Sequence, residues 1–219
     1  MTQLPTPHAV LFDWDNTLVD TWPTIHQALN VTLRHMAHPE WTLEHVKGNV
    51  KQSMREAFPA MFGTRWEEAA AHYQQSYRAI HLEHLRPLAG AEATLQWLRT
   101  QPIFVGIVTN KKSDTLKMEL AALGWEQYFD VAIGAGDAAR DKPAGDPAMM
   151  AMLKYEGLRG AHVWFVGDTT VDLGCATAID ATAILYGDHT PVGQTHDGHA
   201  FAAHVHDHTE LRNLLIAAR

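Results

Sequence analysis

Six short apolar runs recur along the chain, and between them the apolar positions switch to a helical spacing. The runs are HAVLFDW from His8, IFVGIVTN from Ile103, FDVAIGA from Phe129, HVWFVGD from His162, ATAILYG from Ala181, and a weaker AHVHD from Ala203. Several are apolar at consecutive rather than alternate positions. That pattern fits strands of a parallel sheet with helices covering both faces. Helical spacing predicts helices over about residues 90–100, 112–123, 145–157 and 170–179, and a last one in HTELRNLLIAA near the C-terminus. Strand and helix in alternation predict an α/β core with a doubly wound, Rossmann-like parallel sheet.

One stretch breaks the alternation. After Asp20, residues Trp22, Ile25, Leu29, Leu33 and Met36 fall on one helical stripe, and Trp66, Ala69, Tyr73, Tyr77 and Ile80 on another. No strong strand lies between them. The pattern predicts a small helical domain over residues 20–87, inserted after the first strand, and a core made of residues 1–19 and 88–219. Pro87 and Gly90 in RPLAG mark the return to the core. Trp41, Phe58 and Phe62 are expected to pack inside the insert.

Composition narrows the class. A chain of 219 residues with 46% hydrophobic content can bury a real core. Its formal charge of -8, with no basic run, argues against nucleic acid or an anionic membrane as the main partner. A single cysteine, Cys175, rules out an internal disulfide, and its small apolar neighbours predict a buried side chain rather than a nucleophile. The start of the chain has no basic region followed by a long apolar one, so a cytoplasmic location is expected. Six of the fifteen histidines fall between His189 and His208, in a segment expected to be solvated and irregular rather than a metal site.

Ligands of open parallel sheets bind beyond the carboxyl ends of the strands. There the first run places Asp13 and Asp15, the second Thr109 and Asn110, and the fourth Asp168, with Asp172 four residues on; Lys142 lies in ARDKPAGDP, between the third and fourth runs. Each residue alone reads as a helix cap or a solvated lysine. Together they make an acidic cluster that repels itself unless a hard divalent cation sits in it. Mg²⁺ suits such a site, because it takes oxygen ligands from one or two carboxylates plus a substrate phosphate.

DWDNT resembles the first motif of the haloacid dehalogenase-like superfamily, an Asp-x-Asp-x-Thr. VTN at Val108 to Asn110 matches its second motif, Lys142 with Pro143 its third, and GDTTVD from Gly167 its fourth. The four occur in the family's order, the helical insert corresponds to its cap domain, and the branch most resembled is the phosphoglycolate-phosphatase-like one. The resemblance implies a Mg²⁺-dependent phosphomonoester hydrolase acting on a small phosphorylated metabolite. Asp13 would be the nucleophile that forms an aspartyl-phosphate. Asp15 would be the acid and then the base. Thr109, Asn110 and Lys142 would hold the phosphoryl group. Mg²⁺ would be held by Asp13, the Asp15 carbonyl and Asp168, while Asp172 orients metal waters or Lys142. Dehalogenases lack the second aspartate, so Asp15 speaks against carbon–halogen cleavage. Asn16 stands where the family commonly has Gly, and Asn tolerates a positive φ. In the cap, VKGNVKQSM resembles the specificity loop, and Lys47 and Lys51 are candidates for an acidic group of the substrate. A β-phosphoglucomutase-like mutase, or a catalytically silent member that binds a partner, fits the same motifs. Monomer and homodimer are both compatible with the sequence.

Overall fold

The computed structural model describes residues 4–50, 54–155 and 160–219. The chain divides into two compact units, Met1–Val19 with Pro87–Arg219, and Asp20–Arg86.

All six apolar runs are strands of one sheet in the first unit: β1 (Ala9–Phe12), β2 (Phe104–Lys112), β3 (Val131–Ala135), β4 (Val163–Gly167), β5 (Thr182–Tyr186) and β6 (Ala203–Val205). Their order is β6-β5-β4-β1-β2-β3, and every neighbouring pair is parallel. The doubly wound α/β fold expected from the apolar runs is therefore the fold observed. Every residue of β1, β4 and β5 is buried, which is why these runs show no polar alternation. The chain builds the sheet outward from β1 to β3 on one side, then crosses to β4 and builds outward to β6 on the other. The direction of winding reverses beside β1, and such a reversal opens a crevice at the carboxyl ends of the strands.

The second unit is helical: α1 (Trp22–His35), α2 (Leu43–Asn49), α3 (Met54–Phe62) and α4 (Trp66–His84). Ile25, Leu29 and Leu33 of α1 share a buried cluster with Phe58, Phe62, Ala69 and Tyr77. Trp41 packs on its edge, and its main chain exchanges two hydrogen bonds with the Asn30 side chain, at 2.8 and 2.9 Å.

The remaining helices, α5 (Ala91–Arg99), α6 (Ser113–Leu123), α7 (Asp146–Met152), α8 (Thr170–Ala178) and α9 (His208–Ala217), belong to the first unit. Gly124, at φ +67, closes α6 with a left-handed residue that glycine adopts without strain. Cys175 is buried on α8, and burial pushes its thiol up to about 12, leaving it inert as a nucleophile.

The histidine-rich segment is more ordered than its composition suggests. Thr195–His196 and His199–Ala200 pair as an antiparallel hairpin, and His204 lies in β6. His208 is fully buried in the first turn of α9, where its Nε2 donates to the Thr17 carbonyl at 2.8 Å. Burial lowers its pKa to about 4, so the ring is neutral near pH 7. Among the described residues, no helix is long and apolar enough to cross a membrane.

Candidate active site

Where β1 ends, the ladder runs one residue further: the Asp13 N–H donates to the Val166 carbonyl at 2.9 Å. The chain then turns sharply. Asn16 takes φ +59, its N–H donates to the Val19 carbonyl at 2.7 Å, and the Leu18 N–H donates to the Trp14 carbonyl at 3.0 Å. Asparagine is one of the few side chains that accepts this backbone geometry, so the turn forms without glycine.

Asp13 meets a lysine brought from 129 residues away: the Lys142 Nζ lies 2.7 Å from Asp13 Oδ1 and 2.6 Å from Asp172 Oδ1. Lys142 is buried, with 2% exposure. Its main chain is gripped by Asn110: the Lys142 N–H donates to Asn110 Oδ1, and Asn110 Nδ2 donates to the Lys142 carbonyl, both at 3.0 Å. Asn110 was expected on the phosphoryl oxygens; here its amide places Lys142. Thr109 is buried beside it, and its Oγ1 accepts from the Lys111 N–H at 3.2 Å, which leaves the hydroxyl proton to donate elsewhere.

β4 delivers Asp168, and α8 follows at once. The Thr169 N–H and Oγ1–H both donate to Asp172 Oδ2, at 2.9 and 2.7 Å. With Lys142 on its other oxygen, Asp172 is occupied on both sides and acts on the lysine and the helix start. Gly167 makes room for this. A Cβ there would lie 2.3 Å from Asp172 Cγ. Gly167→Ala must therefore displace the start of α8. The expected cost is about 2 kcal/mol, a fall in melting temperature of roughly 4–8 °C, readable by calorimetry; an unchanged melting temperature would show that α8 gives way freely.

Among the described residues, one group of three acidic, histidine or cysteine side chains could share an ion: Asp13, Asp168 and Asp172, each offering an oxygen within 4.8 Å of the others. Their electrostatics suit a divalent cation. Burial, opposed by Lys142 and reinforced by Asp172 and Asp15, raises Asp13 to about 7. Burial, then Asp172 and Asp13, hold Asp168 well above the ordinary carboxylate range. Buried acids held up in this way lack compensating charge. Hard oxygen donors with charge still to balance are what Mg²⁺-like cations bind.

Two residues that strand-end reading passed over complete the site. Lys111 Nζ lies 2.7 Å from Asp15 Oδ1 and 2.7 Å from Glu119 Oε2. Trp14 Nε1 donates to that same Glu119 oxygen at 2.6 Å. Burial alone would lower the Lys111 pKa, but Asp15 and Glu119 together hold it above its ordinary value. A signal for both was present. Lys111 is two residues past Thr109, the spacing that shares a face in a regular strand, although the pairing of β2 with β3 is irregular between Val108 and Lys112. Glu119 interrupts the buried stripe Thr115, Leu116, Leu120 of α6, and a buried charge needs a partner. Of the cap candidates, Lys47 is exposed in the second unit, 5.9 Å from the Trp22 ring centroid. Lys51 lies outside the described residues.

Comparison with known proteins shows the family. The sequence profile of the haloacid dehalogenase-like hydrolases matches residues 10–186. A phosphoglycolate phosphatase of Cereibacter sphaeroides is 29% identical over 217 residues, covering 94% of this chain and 96% of that protein. A phosphoglycolate phosphatase of Xanthomonas campestris is 30% identical over 187 residues, covering 83% and 84%. Among solved structures, a haloacid dehalogenase-like family hydrolase from Streptococcus pneumoniae superposes with a TM-score of 0.78 at 20% identity, over 96% of this chain and 98% of that one.

Proposed function

This chain belongs to the haloacid dehalogenase-like hydrolases, and on that premise we propose that it is a Mg²⁺-dependent phosphatase of a small phosphorylated metabolite, phosphoglycolate-like or a sugar phosphate. The observation that carries the reading is the buried Lys142 ammonium bridging Asp13 and Asp172 next to Asp168. The relatives named phosphoglycolate phosphatase support the reaction class. A net charge of -8 supports a small-molecule substrate over a polyanionic partner.

The chemistry proceeds in two displacements. An Asp13 oxygen attacks phosphorus as the ester P–O bond breaks, and Asp15 gives its proton to the departing oxygen, releasing the alcohol. Asp15 then takes a proton from water, whose oxygen attacks the aspartyl-phosphate. The Asp13 O–P bond breaks and inorganic phosphate leaves. Lys142 offsets the repulsion between Asp13 and the phosphate dianion, and the Thr109 hydroxyl donates to a phosphoryl oxygen. Asp13, Asp168 and the Asp15 carbonyl would hold Mg²⁺, which supplies charge neutralisation of the transferring group.

Phosphate release from p-nitrophenyl phosphate, with and without Mg²⁺, followed by a screen of phosphorylated metabolites, tests the proposal. Metal-dependent free phosphate supports it. An isomerised hexose phosphate would instead mean a mutase, and no turnover of any ester a silent binding protein.

Metal binding has its own readout. The ligand must be the Asp13 carboxylate, which in the metal-free protein keeps its proton up to about pH 7. Mg²⁺ affinity is then expected to fall at least about tenfold per pH unit below 7, since Asp168 is also held above the ordinary carboxylate range. The rise in melting temperature on adding Mg²⁺ should be several degrees at pH 8 and small at pH 5.5. A pH-independent increment would place the ion away from Asp13.

A further inference from the structure

Asp15 has a demanding task in the proposed chemistry. It must present one oxygen to the leaving group, then to water, from a short turn at the sheet edge. We propose that Lys111, held in place by Glu119 and Trp14, is the residue that positions Asp15 for proton transfer. The inference rests on the phosphatase reading and extends it to a second layer of residues.

The geometry is specific. Lys111 holds Asp15 Oδ1 at 2.7 Å and so fixes the carboxylate of the acid–base residue. Lys111 cannot wander, because Glu119 Oε2 holds its ammonium at 2.7 Å from within the core. Glu119 is fully buried. The same oxygen accepts from the indole of Trp14 at 2.6 Å. Trp14 sits between Asp13 and Asp15 in sequence and is wedged edge-on against Trp125, ring centroids 6.0 Å apart. One carboxylate thus fixes the turn twice: its backbone through Trp14, and its acid–base side chain through Lys111. A buried Lys–Glu pair is a poor way to gain stability, since well-packed apolar residues of similar volume do as well or better. Its position directly behind Asp15 gives it a different use. Lys111 and Glu119 are positioning residues; neither reaches the substrate.

Leaving-group dependence tests this. A p-nitrophenolate leaves with little need of a proton, whereas an alkoxide needs one. The double variant Lys111→Met/Glu119→Gln removes both charges at nearly constant volume. It is expected to lower kcat/KM, which reports the steps through departure of the leaving group, by on the order of 100-fold for alkyl phosphates such as glycerol phosphate and by less than about threefold for p-nitrophenyl phosphate; kcat falls on both, because Asp15 also activates the water that hydrolyses the shared aspartyl-phosphate. Equal losses of kcat/KM on the two substrate classes, or no loss on either, overturn the proposal and leave the pair a structural one. Should the double variant not fold, Trp14→Phe keeps the aromatic packing and deletes only the indole donor. It should show the same bias toward alkyl substrates at roughly fivefold, about one hydrogen bond, and an unbiased effect again overturns the idea. A wild-type enzyme that releases no phosphate from any ester is a failure of the phosphatase reading itself. The clamp is then decided by the crystal structure of Lys111→Met/Glu119→Gln: an Asp15 carboxylate that leaves its wild-type place supports it, and one that stays overturns it.

Discussion

Asp13→Asn is expected to reduce phosphate release by on the order of 10⁴-fold or more, the scale on which loss of a covalent nucleophile is felt. An amide oxygen is a far weaker nucleophile than a carboxylate, and no other carboxylate shares its position. Asp15 is engaged by Lys111 at 2.7 Å, and Asp172 by Lys142 and Thr169. The loss should fall on kcat, because Lys142 and Thr109 remain to hold the phosphate. Folding should survive the change. The amide oxygen can still accept from the Lys142 ammonium, and the substitution removes one of the buried charges that burial and Asp172 disfavour.

The sign of that stability effect can be worked out. The Asp13 pKa in the folded, metal-free protein is raised to about 7. The stability that goes with its protonation is therefore present below its ordinary pKa and is lost as pH rises to about 7. His208 works the other way. Its folded pKa is lowered to about 4, so its neutral burial favours folding increasingly as pH rises from 4 toward 6.5. Asp13→Asn should thus raise the melting temperature of the metal-free protein at pH 8 and hardly change it at pH 4. Turnover within tenfold of wild type would sink Asp13 as nucleophile. A melting temperature that falls at pH 8 would sink the electrostatic account of why the cluster needs a cation.

The sheet was legible because its signal is local. A central parallel strand is apolar on both faces, and β1, β4 and β5 are read from that alone. The acids were legible for a related reason: Asp13 and Asp168 stand where buried apolar runs stop, and strand ends of such sheets face ligands. Asn110 and Lys111 were harder. Asn110 looks like any polar strand-end residue, and its grip on the Lys142 main chain depends on the end of β2 meeting a loop 32 residues away. Lys111 followed by Lys112 looks like solvated charge until α6 packs against β2 and brings Glu119 beneath it. His208 was legible as the first residue of the helix HTELRNLLIAA, but its burial against the Thr17 carbonyl was not, because that contact joins residues 191 apart in the chain. Spacing along the chain conveys which face a residue occupies; only packing conveys which charge lies behind it.

Lys142→Met separates binding the metal from using it. The ammonium touches both Asp13 and Asp172 with 2% exposure, and these carboxylates in turn hold its pKa above the ordinary lysine value against the effect of burial. Methionine keeps most of the volume and none of the charge. Asp13 then loses the one neighbour that lowers its pKa, so it should hold its proton to higher pH than about 7. At a pH high enough to ionise Asp13 in both proteins, the acidic cluster has lost a competing cation, and Mg²⁺ should raise the melting temperature at least as much as in wild type. Turnover should nevertheless fall by on the order of 10²–10³-fold, the usual cost of removing one preorganised partner of the developing charge. Raising the Mg²⁺ concentration should not restore it. Lys142→Arg should restore little, because the planar guanidinium cannot reproduce a compact ammonium between two carboxylates 2.7 and 2.6 Å from its nitrogen. A Lys142→Met enzyme that recovers full activity at high Mg²⁺ would mean that the lysine only balances charge in the resting protein and that the phosphoryl group never meets it.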